Sequence, residues 1–339
     1  MRFGKCTQLL TLLSMAVVSQ SAMAEASEVR VARQFGLGYL PLMIMENEKL
    51  IEKHAKLAGL PDIKVNWASF AGASVMNDAL LSNSLDFAAV GTPSLPIMWS
   101  RTKGTPQETK GVSAMVASPL YLNTRNPDVK SIKDLSPKDR IALPAVKVSI
   151  QALVLQMAAA KEFGVDNAFS LDKYTVSRSH PDAMAALLSG KGDINGHFTW
   201  APFQYRELND PNVRTILNSY DVLGGPTTTV VVISTKRFHD ANPKLYKAFL
   251  DAQAEADQII TSKPELAAQI YLTETKDKDT VENIVKMIKD PQVRYSVVPE
   301  NISKYTDFML KIGTIKQAPT DWKEMFFPEV FSMAKATAK

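Results

Sequence analysis

The stretch ALLSNSLDF, residues 79–87, returns 107 residues later as ALLSGKGDI, residues 186–194. Four matching letters mean little in a chain rich in Ala and Leu, so the flanks decide the reading. At the same offset Trp67 falls on Tyr174, Leu80 on Leu187, Ser82 on Ser189 and Asp86 on Asp193. Around the first copy, VRVARQF (29–35) reads as a strand, and a helix is expected from Pro41 through LMIMENEKLIEKHAKL. IKVNWASF (63–70) is the next strand, a helix opens near Gly72 to Ser74, and DFAAVGT (86–92) is a buried strand. Around the second copy come a strand RIALPA (140–145), a helix SIQALVLQMAAAKEFG (149–164) and a strand LDKYTVS (171–177). A helix PDAMAALLS (181–189) and a strand DINGHFT (193–199) complete it. Each half therefore spells β-α-β-α-β, the order that builds a parallel sheet with helices on its faces. In this reading Asp86 and Asp193 shape the turn after each repeated helix.

Open parallel sheets bind ligands beyond the carboxyl ends of their strands. Two such sheets facing each other turn GLGYLP, FAGAS, VGTPS, PAVKVSIQ, SRSHP and FTWAPF onto one crevice. These loops are rich in Gly, Ser, Thr and Pro, contain no acidic residue, and leave helix N-termini with unpaired N–H groups, which suits a small anion. Within them Tyr39 offers a hydroxyl or a ring face. Ser74 and Thr92 are hydroxyls beside Gly72 and Gly91 at strand-to-helix corners, with Pro93 opening the next helix. Arg178 is a fork-shaped candidate for a carboxylate or sulfonate. His197, on an apolar strand end, reads as a core histidine.

Residues 1–24 place Arg2 and Lys5 before an apolar run and end in Ala22-Met23-Ala24, the pattern of a cleaved secretory signal. The apolar run is too short and too polar for a stable membrane span. The single cysteine, Cys6, falls within that segment, so no disulfide, thiol nucleophile or thiolate ligand is expected downstream. With Arg2 and Lys5 removed, the 39 basic residues become 37 against 35 acidic ones, a balance that gives no support for nucleic-acid binding. The four histidines, His54, His180, His197 and His239, lack metal-site spacing, GASVM lacks the second glycine of a nucleophile elbow, and no Walker or dinucleotide fingerprint occurs. Neither an enzyme nor a metal or cofactor site is expected.

Five segments in order carry a resemblance: GYLPLMIMENEKLIEKHAK, the ALLSNSLDF phrase with GTPSLP, SIKDLSPKDRIALP (131–144), AALLSGKGDINGHFTWAPF (185–203) and VVVISTKRFHDANPKLYKAFLDA (230–252). Together they resemble periplasmic solute-binding proteins of the nitrate/sulfonate/taurine type, a family that also includes binders of thiamine pyrimidine precursors. The resemblance implies a type II periplasmic-binding fold, an α/β architecture of two lobes around a cleft. It divides the chain into a signal peptide (1–24), lobe one (25–122 and 228–339) and lobe two (123–227), with crossings after SPLYLNT (118–124) and before TTTVVVIST (227–235). It adds Ser149, Ile150, Gln151 and Trp200 as ligand contacts. It also implies a monomer that hands a small anion to the permease and ATPase of an importer without inserting into the membrane. The alternative ligand is an aromatic or pyrimidine metabolite; a periplasmic enzyme or a sensor partner is the more distant reading. The helix from Pro243, with Asn242 as its cap, is expected to bury Leu245, Phe249, Ala256 and Ile260 in lobe one.

Overall fold

The first strand, β1 (Glu28–Arg33), buries Val29, Val31 and Ala32, and the chain turns out of it at Gly36. The computed structural model describes residues 24–337, so the signal segment lies outside the described residues apart from Ala24. After β1 come α1 (Leu40–Asn47), α2 (Leu50–Leu57), β2 (Lys64–Ser69), α3 (Ala73–Leu81), β3 (Phe87–Gly91), α4 (Ser94–Thr102) and β4 (Thr109–Ala117). β1 pairs in parallel with both β2 and β3, with Val31 opposite Trp67 on one side and Phe87 on the other. The single helix expected from Pro41 to Leu57 is two. Lys49 sits at φ 50° and ψ 44°, the left-handed region that ends a helix. The break has a packing reason: residues 40–45 are buried all round, whereas α2 presents only Leu50, Ile51 and Ala55 to the core and must be turned to do so.

The second unit comprises β5 (Tyr121–Thr124), β6 (Ile141–Leu143), α5 (Ile150–Phe163), β7 (Thr175–Ser177), α6 (His180–Ser189), β8 (Gly196–Thr199), α7 (Phe203–Glu207), β9 (Arg214–Asn218) and α8 (Ser219–Leu223). Its sheet order is β7-β6-β8-β5-β9, with β6 parallel to both neighbours and β5 antiparallel to both of its own. Two boundaries differ from expectation. Residues 172–174 form a 3-10 turn, so the strand begins only at Thr175. Tyr121 already pairs with Thr199 of the second sheet, so the chain crosses before YLNT and not after it.

The chain returns through β10 (Thr228–Thr235), which enters the first sheet between β3 and β4 and runs antiparallel to each. Then follow α9 (Lys236–Ala241), α10 (Pro243–Ser262), α11 (Pro264–Thr275), α12 (Val281–Ile288), β11 (Arg294–Tyr295), α13 (Ser303–Lys311) and α14 (Glu329–Thr337). The first sheet is ordered β11-β4-β10-β3-β1-β2. α10 buries Leu245, Phe249, Ala256 and Ile260, and Phe249 stacks on Phe87 with ring centroids 4.0 Å apart. Asn242 holds the N-cap position, its carbonyl accepting from the Tyr246 N–H at 2.8 Å, but its side chain does not cap the helix. That side chain accepts from the Ala26 N–H at 2.7 Å and donates to the Phe238 carbonyl at 2.9 Å. The Glu25 carboxylate instead accepts from the N–H groups of Lys244 and Leu245 at 3.0 and 2.8 Å, closing the helix start with the beginning of the described chain.

The repeated phrase is a helix ending. Asn83 (φ 58°) and Gly190 (φ 61°), one repeat apart, are both left-handed, and Asn and Gly are the residues that accept this conformation most readily. The aspartates that follow diverge. Asp86 is 7 % exposed and accepts from the backbone N–H of Arg30 at 2.8 Å and from its guanidinium at 2.9 and 2.7 Å, locking β3 to β1. Asp193 faces solvent. Neither serves as the turn-shaping pair expected of them. Asp86→Ala leaves the Arg30 backbone N–H and its Nε and Nη2 without their acceptor, with only Nη1 still held by the Asn83 carbonyl, and should destabilise by about 2–3 kcal/mol. Asp193→Ala should leave the thermal midpoint unchanged; equal losses at the two positions in paired thermal melts would refute this assignment.

Candidate functional site

The carboxyl ends of β1 and β3 in lobe one face those of β6 and β8 in lobe two, and the lobes meet there over glycine. A Cβ on Gly38 would lie 2.7 Å from the Trp200 ring, one on Gly36 2.4 Å from Trp200 Nε1, and one on Gly72 2.5 Å from the Pro144 carbonyl oxygen. GLGYLP thus carries glycine because an indole from the opposite lobe lies against its backbone. Trp200 is 3 % exposed, donates from Nε1 to the Phe35 carbonyl at 3.1 Å and meets Tyr39 edge-on with centroids 5.3 Å apart. The Leu37 N–H donates to the Ala201 carbonyl at 2.9 Å beside it.

Behind this contact lies a cavity of about 10 Å³, lined by Gln34, Tyr39, Ala73 and Gly91 from lobe one and by Pro144, Ser149, Ile150, Gln151, His180 and Trp200 from lobe two. That volume admits about one water. The lobes are therefore closed upon each other, and anything larger enters only as they part. At the cleft mouth a space of about 400 Å³ shares Gln34 and is walled by Phe35, Pro181 and Phe203. On the rim Arg206 of α7 pairs with Asp277 at 2.7 Å and Asp279 at 3.0 Å, and the Tyr205 hydroxyl donates to Asp290 at 3.0 Å, joining lobe two to the helices that complete lobe one.

Of the residues singled out from sequence, Tyr39, Gly91, Ser149, Ile150, Gln151 and Trp200 line the cavity, and Gly72 lies at the lobe contact next to Ala73. Burial raises the Tyr39 pKa, keeping its hydroxyl protonated. Ser149 caps α5 by accepting from the Ala152 N–H at 3.3 Å, as a serine at that position ordinarily does. The others sit elsewhere. The Thr92 hydroxyl donates to the Thr228 carbonyl at 2.7 Å, tying β3 to β10, and Pro93 precedes α4 within the core. Ser74 is exposed on α3, and Arg178 is exposed just past β7, held by its backbone N–H to the Leu143 carbonyl. Neither belongs to the cavity lining.

Sequence reasoning missed Gln34 and His180. In SRSHP the arginine is exposed, and the histidine at the first position of α6, ahead of Pro181, is the one that points inward. It begins a buried polar chain. Gln151 Nε2 donates to His180 Nε2 (3.2 Å), His180 Nδ1 contacts His197 Nε2 (2.9 Å) and Thr199 Oγ1 (3.0 Å), and His197 Nδ1 contacts Glu207 Oε1 (2.5 Å). Glu207 Oε2 accepts from Asn123 Nδ2 at 2.9 Å. Donor logic fixes the proton order in this hydrogen-bond assignment: Gln151 Nε2 only donates, so His180 carries its proton on Nδ1 and His197 on its own Nδ1, toward the carboxylate. Burial, the largest cause, pushes the His180 pKa well below its ordinary 6.5. The start of a helix likewise disfavours a cation there. The cavity lining thus contains no charged side chain: a neutral imidazole at the start of α6, an amide and a hydroxyl at the start of α5, the Gln34 amide, the Tyr39 hydroxyl and the Trp200 indole. Such a set can hold a small solute by hydrogen bonds and has no activated nucleophile. Among the described residues no group of three or more His, Cys, Asp or Glu stands where it would hold a metal ion, and no helix is long and apolar enough to cross a membrane.

The family model described as NMT1-like matches residues 22–272. The taurine-binding periplasmic protein of Escherichia coli (strain K12) is 27% identical over 203 residues, which is 60% of this chain and 59% of that protein. Among solved structures, the alkanesulfonate-binding protein SsuA from Xanthomonas axonopodis pv. citri, bound to MOPS, superposes with a TM-score of 0.66 at 16% identity, covering 87% of this chain and 96% of its own. The periplasmic nitrate-binding protein NrtA from Synechocystis PCC 6803 gives 0.69 at 17% identity over 93% and 90%. These likenesses show the periplasmic-binding fold, a mixed α/β architecture of two sheets flanked by helices.

Proposed function

The chain belongs to the NMT1-like family, and on that premise we propose that it is the solute-binding component of an ATP-driven importer, working in the periplasm on a small anion such as an alkanesulfonate, taurine, nitrate or an organic carboxylate. The observation that carries the reading is the cavity between the lobes: it is sealed by contacts that can exist only when the lobes meet, and it is lined by neutral donors at helix starts. Solute bridging both lobes favours the closed arrangement over the open one, and a permease that recognises the closed shape accepts only loaded protein. The protein binds and releases its solute unchanged.

A thermal-shift screen of ligand-stripped protein tests this with alkanesulfonates, taurine, nitrate, bicarbonate, aromatic carboxylates and pyrimidines. A ligand at about 100 times its dissociation constant adds about 2.7 kcal/mol, which raises the midpoint visibly. One anion class is expected to do so. A response to pyrimidines alone would move the assignment to a flat ligand against the Tyr39–Trp200 wall, and a panel without any response would remove solute capture of these classes.

A further inference from the structure

The anion reading leaves a question of charge: a monoanion enters a closed cavity whose lining offers no lysine or arginine, while Glu207 lies two imidazoles behind it. We propose that Glu207, His197 and His180 form a charge-coupled relay, and that His180 takes up one proton from solvent as a monoanion is enclosed, becoming the cation that pairs with it.

The geometry supports this in three ways. Glu207, His197 and His180 are 0 %, 0 % and 3 % exposed and hydrogen-bonded in series, so a charge change at one end is felt at the other with little screening by water. The only ring nitrogen of His180 without a proton is Nε2, and its partner is Gln151, another cavity-lining side chain whose amide offers an acceptor oxygen on rotation. The groups facing His180 are His197 from β8 with Glu207 behind it, Phe203 of α7 stacked on the ring, Tyr39 and Trp200 near the lobe contact, Gln151 from α5 and Thr199. Asp182 on its own helix is turned to the Ser179 hydroxyl. Before the solute enters, burial holds His180 neutral. An anion in contact reverses that balance, because an opposite charge favours the protonated ring and Glu207 stabilises the same proton through His197. His197 and Glu207 act through His180 and are positioning residues; only His180 touches the cavity.

The sign follows from linkage. Between the depressed pKa of free His180 and the raised one of the complex, binding consumes up to one proton, so affinity falls by up to about tenfold for each unit of rising pH. A solute presenting a hydrogen-bond donor or cation to His180 Nε2 gives no uptake, or the opposite slope.

This inference rests on the anion reading, and the test separates the two. Titration calorimetry of the full mature protein with ethanesulfonate and with nitrate, whose charges do not change near neutrality, is run between pH 6 and 8 in buffers of different ionisation heat. Uptake approaching one proton, with affinity weakening as pH rises, is expected. His180→Gln should abolish both the uptake and the slope. Glu207→Gln, which keeps the shape, should weaken binding and reduce the proton count. Binding without uptake, binding that strengthens with pH, or a Glu207→Gln protein that only melts earlier with its pH slope intact overturns the relay and leaves anion capture standing. Failure of both anions to bind at every pH overturns the anion assignment and the relay with it.

Discussion

Gly72→Ala is expected to weaken solute binding by about 1–3 kcal/mol, the ordinary cost of overpacking a close contact, or about 5- to 150-fold in dissociation constant. The thermal midpoint of the unliganded protein should stay where it was. Gly72 has φ −166° and ψ 167°, extended backbone that alanine adopts without strain, so neither lobe is disturbed on its own. The added Cβ meets the Pro144 carbonyl oxygen at 2.5 Å and its carbon at 3.2 Å, backbone atoms of the opposite lobe that cannot rotate away. Only the closed arrangement is penalised. Calorimetry for affinity and a melt without ligand measure the two halves of the prediction; an alanine variant that binds as tightly as the parent would show that the lobes do not close through this contact.

Trp200→Ala should have the larger effect, a loss of about 3–5 kcal/mol from deleting a fully packed indole, divided between folding and closure. The ring contacts the lobe-one backbone at Gly36 and Gly38, meets Tyr39 edge-on and donates to the Phe35 carbonyl. Within lobe two it has the His180 ring at 5.9 Å. Most of these partners are lost when the lobes part, so affinity should fall by about a hundredfold or more while the midpoint of the free protein drops only slightly. Trp200→Phe keeps the apolar body, loses the N–H bond and should fall between the two. Trp200 is one of four tryptophans, and closing carries it from water onto glycine backbone. The change in indole fluorescence on binding should therefore vanish in Trp200→Phe; its persistence would assign the signal, and the closing surface, to another ring.

The parallel order of β1 to β3 and of β6 to β8 was legible because buried strands and Ala-rich helices write different periods, and the repeated phrase marked a helix ending that both units share down to the left-handed residue at Asn83 and Gly190. Tyr39, Ser149 to Gln151 and Trp200 were legible as crevice residues because loops at strand ends converge by topology. Thr92 was misplaced because a hydroxyl beside a glycine reads the same whether it faces a cleft or a neighbouring strand. β10 runs alongside β3 and takes that hydroxyl from 136 residues away. His180 was passed over because its partners, His197 and Glu207, belong to β8 and α7, 17 and 27 positions on, with no spacing that marks a motif.

By itself, then, the sequence determined most of the local alphabet: which segments are strands, which are helices, and that the two halves follow one plan, though not the break at Lys49 or the 3-10 turn at 172–174. These depend on side-chain period, on glycine and proline backbone preferences and on helix ends, all properties of a few neighbouring residues. The tertiary structure alone decided which glycines exist for a ring on the other lobe, which hydroxyls are occupied, and that a carboxylate reaches the cleft through two imidazoles. Those are contacts between distant residues, settled only when both sheets pack and each buried polar group finds the partner that its removal from water requires.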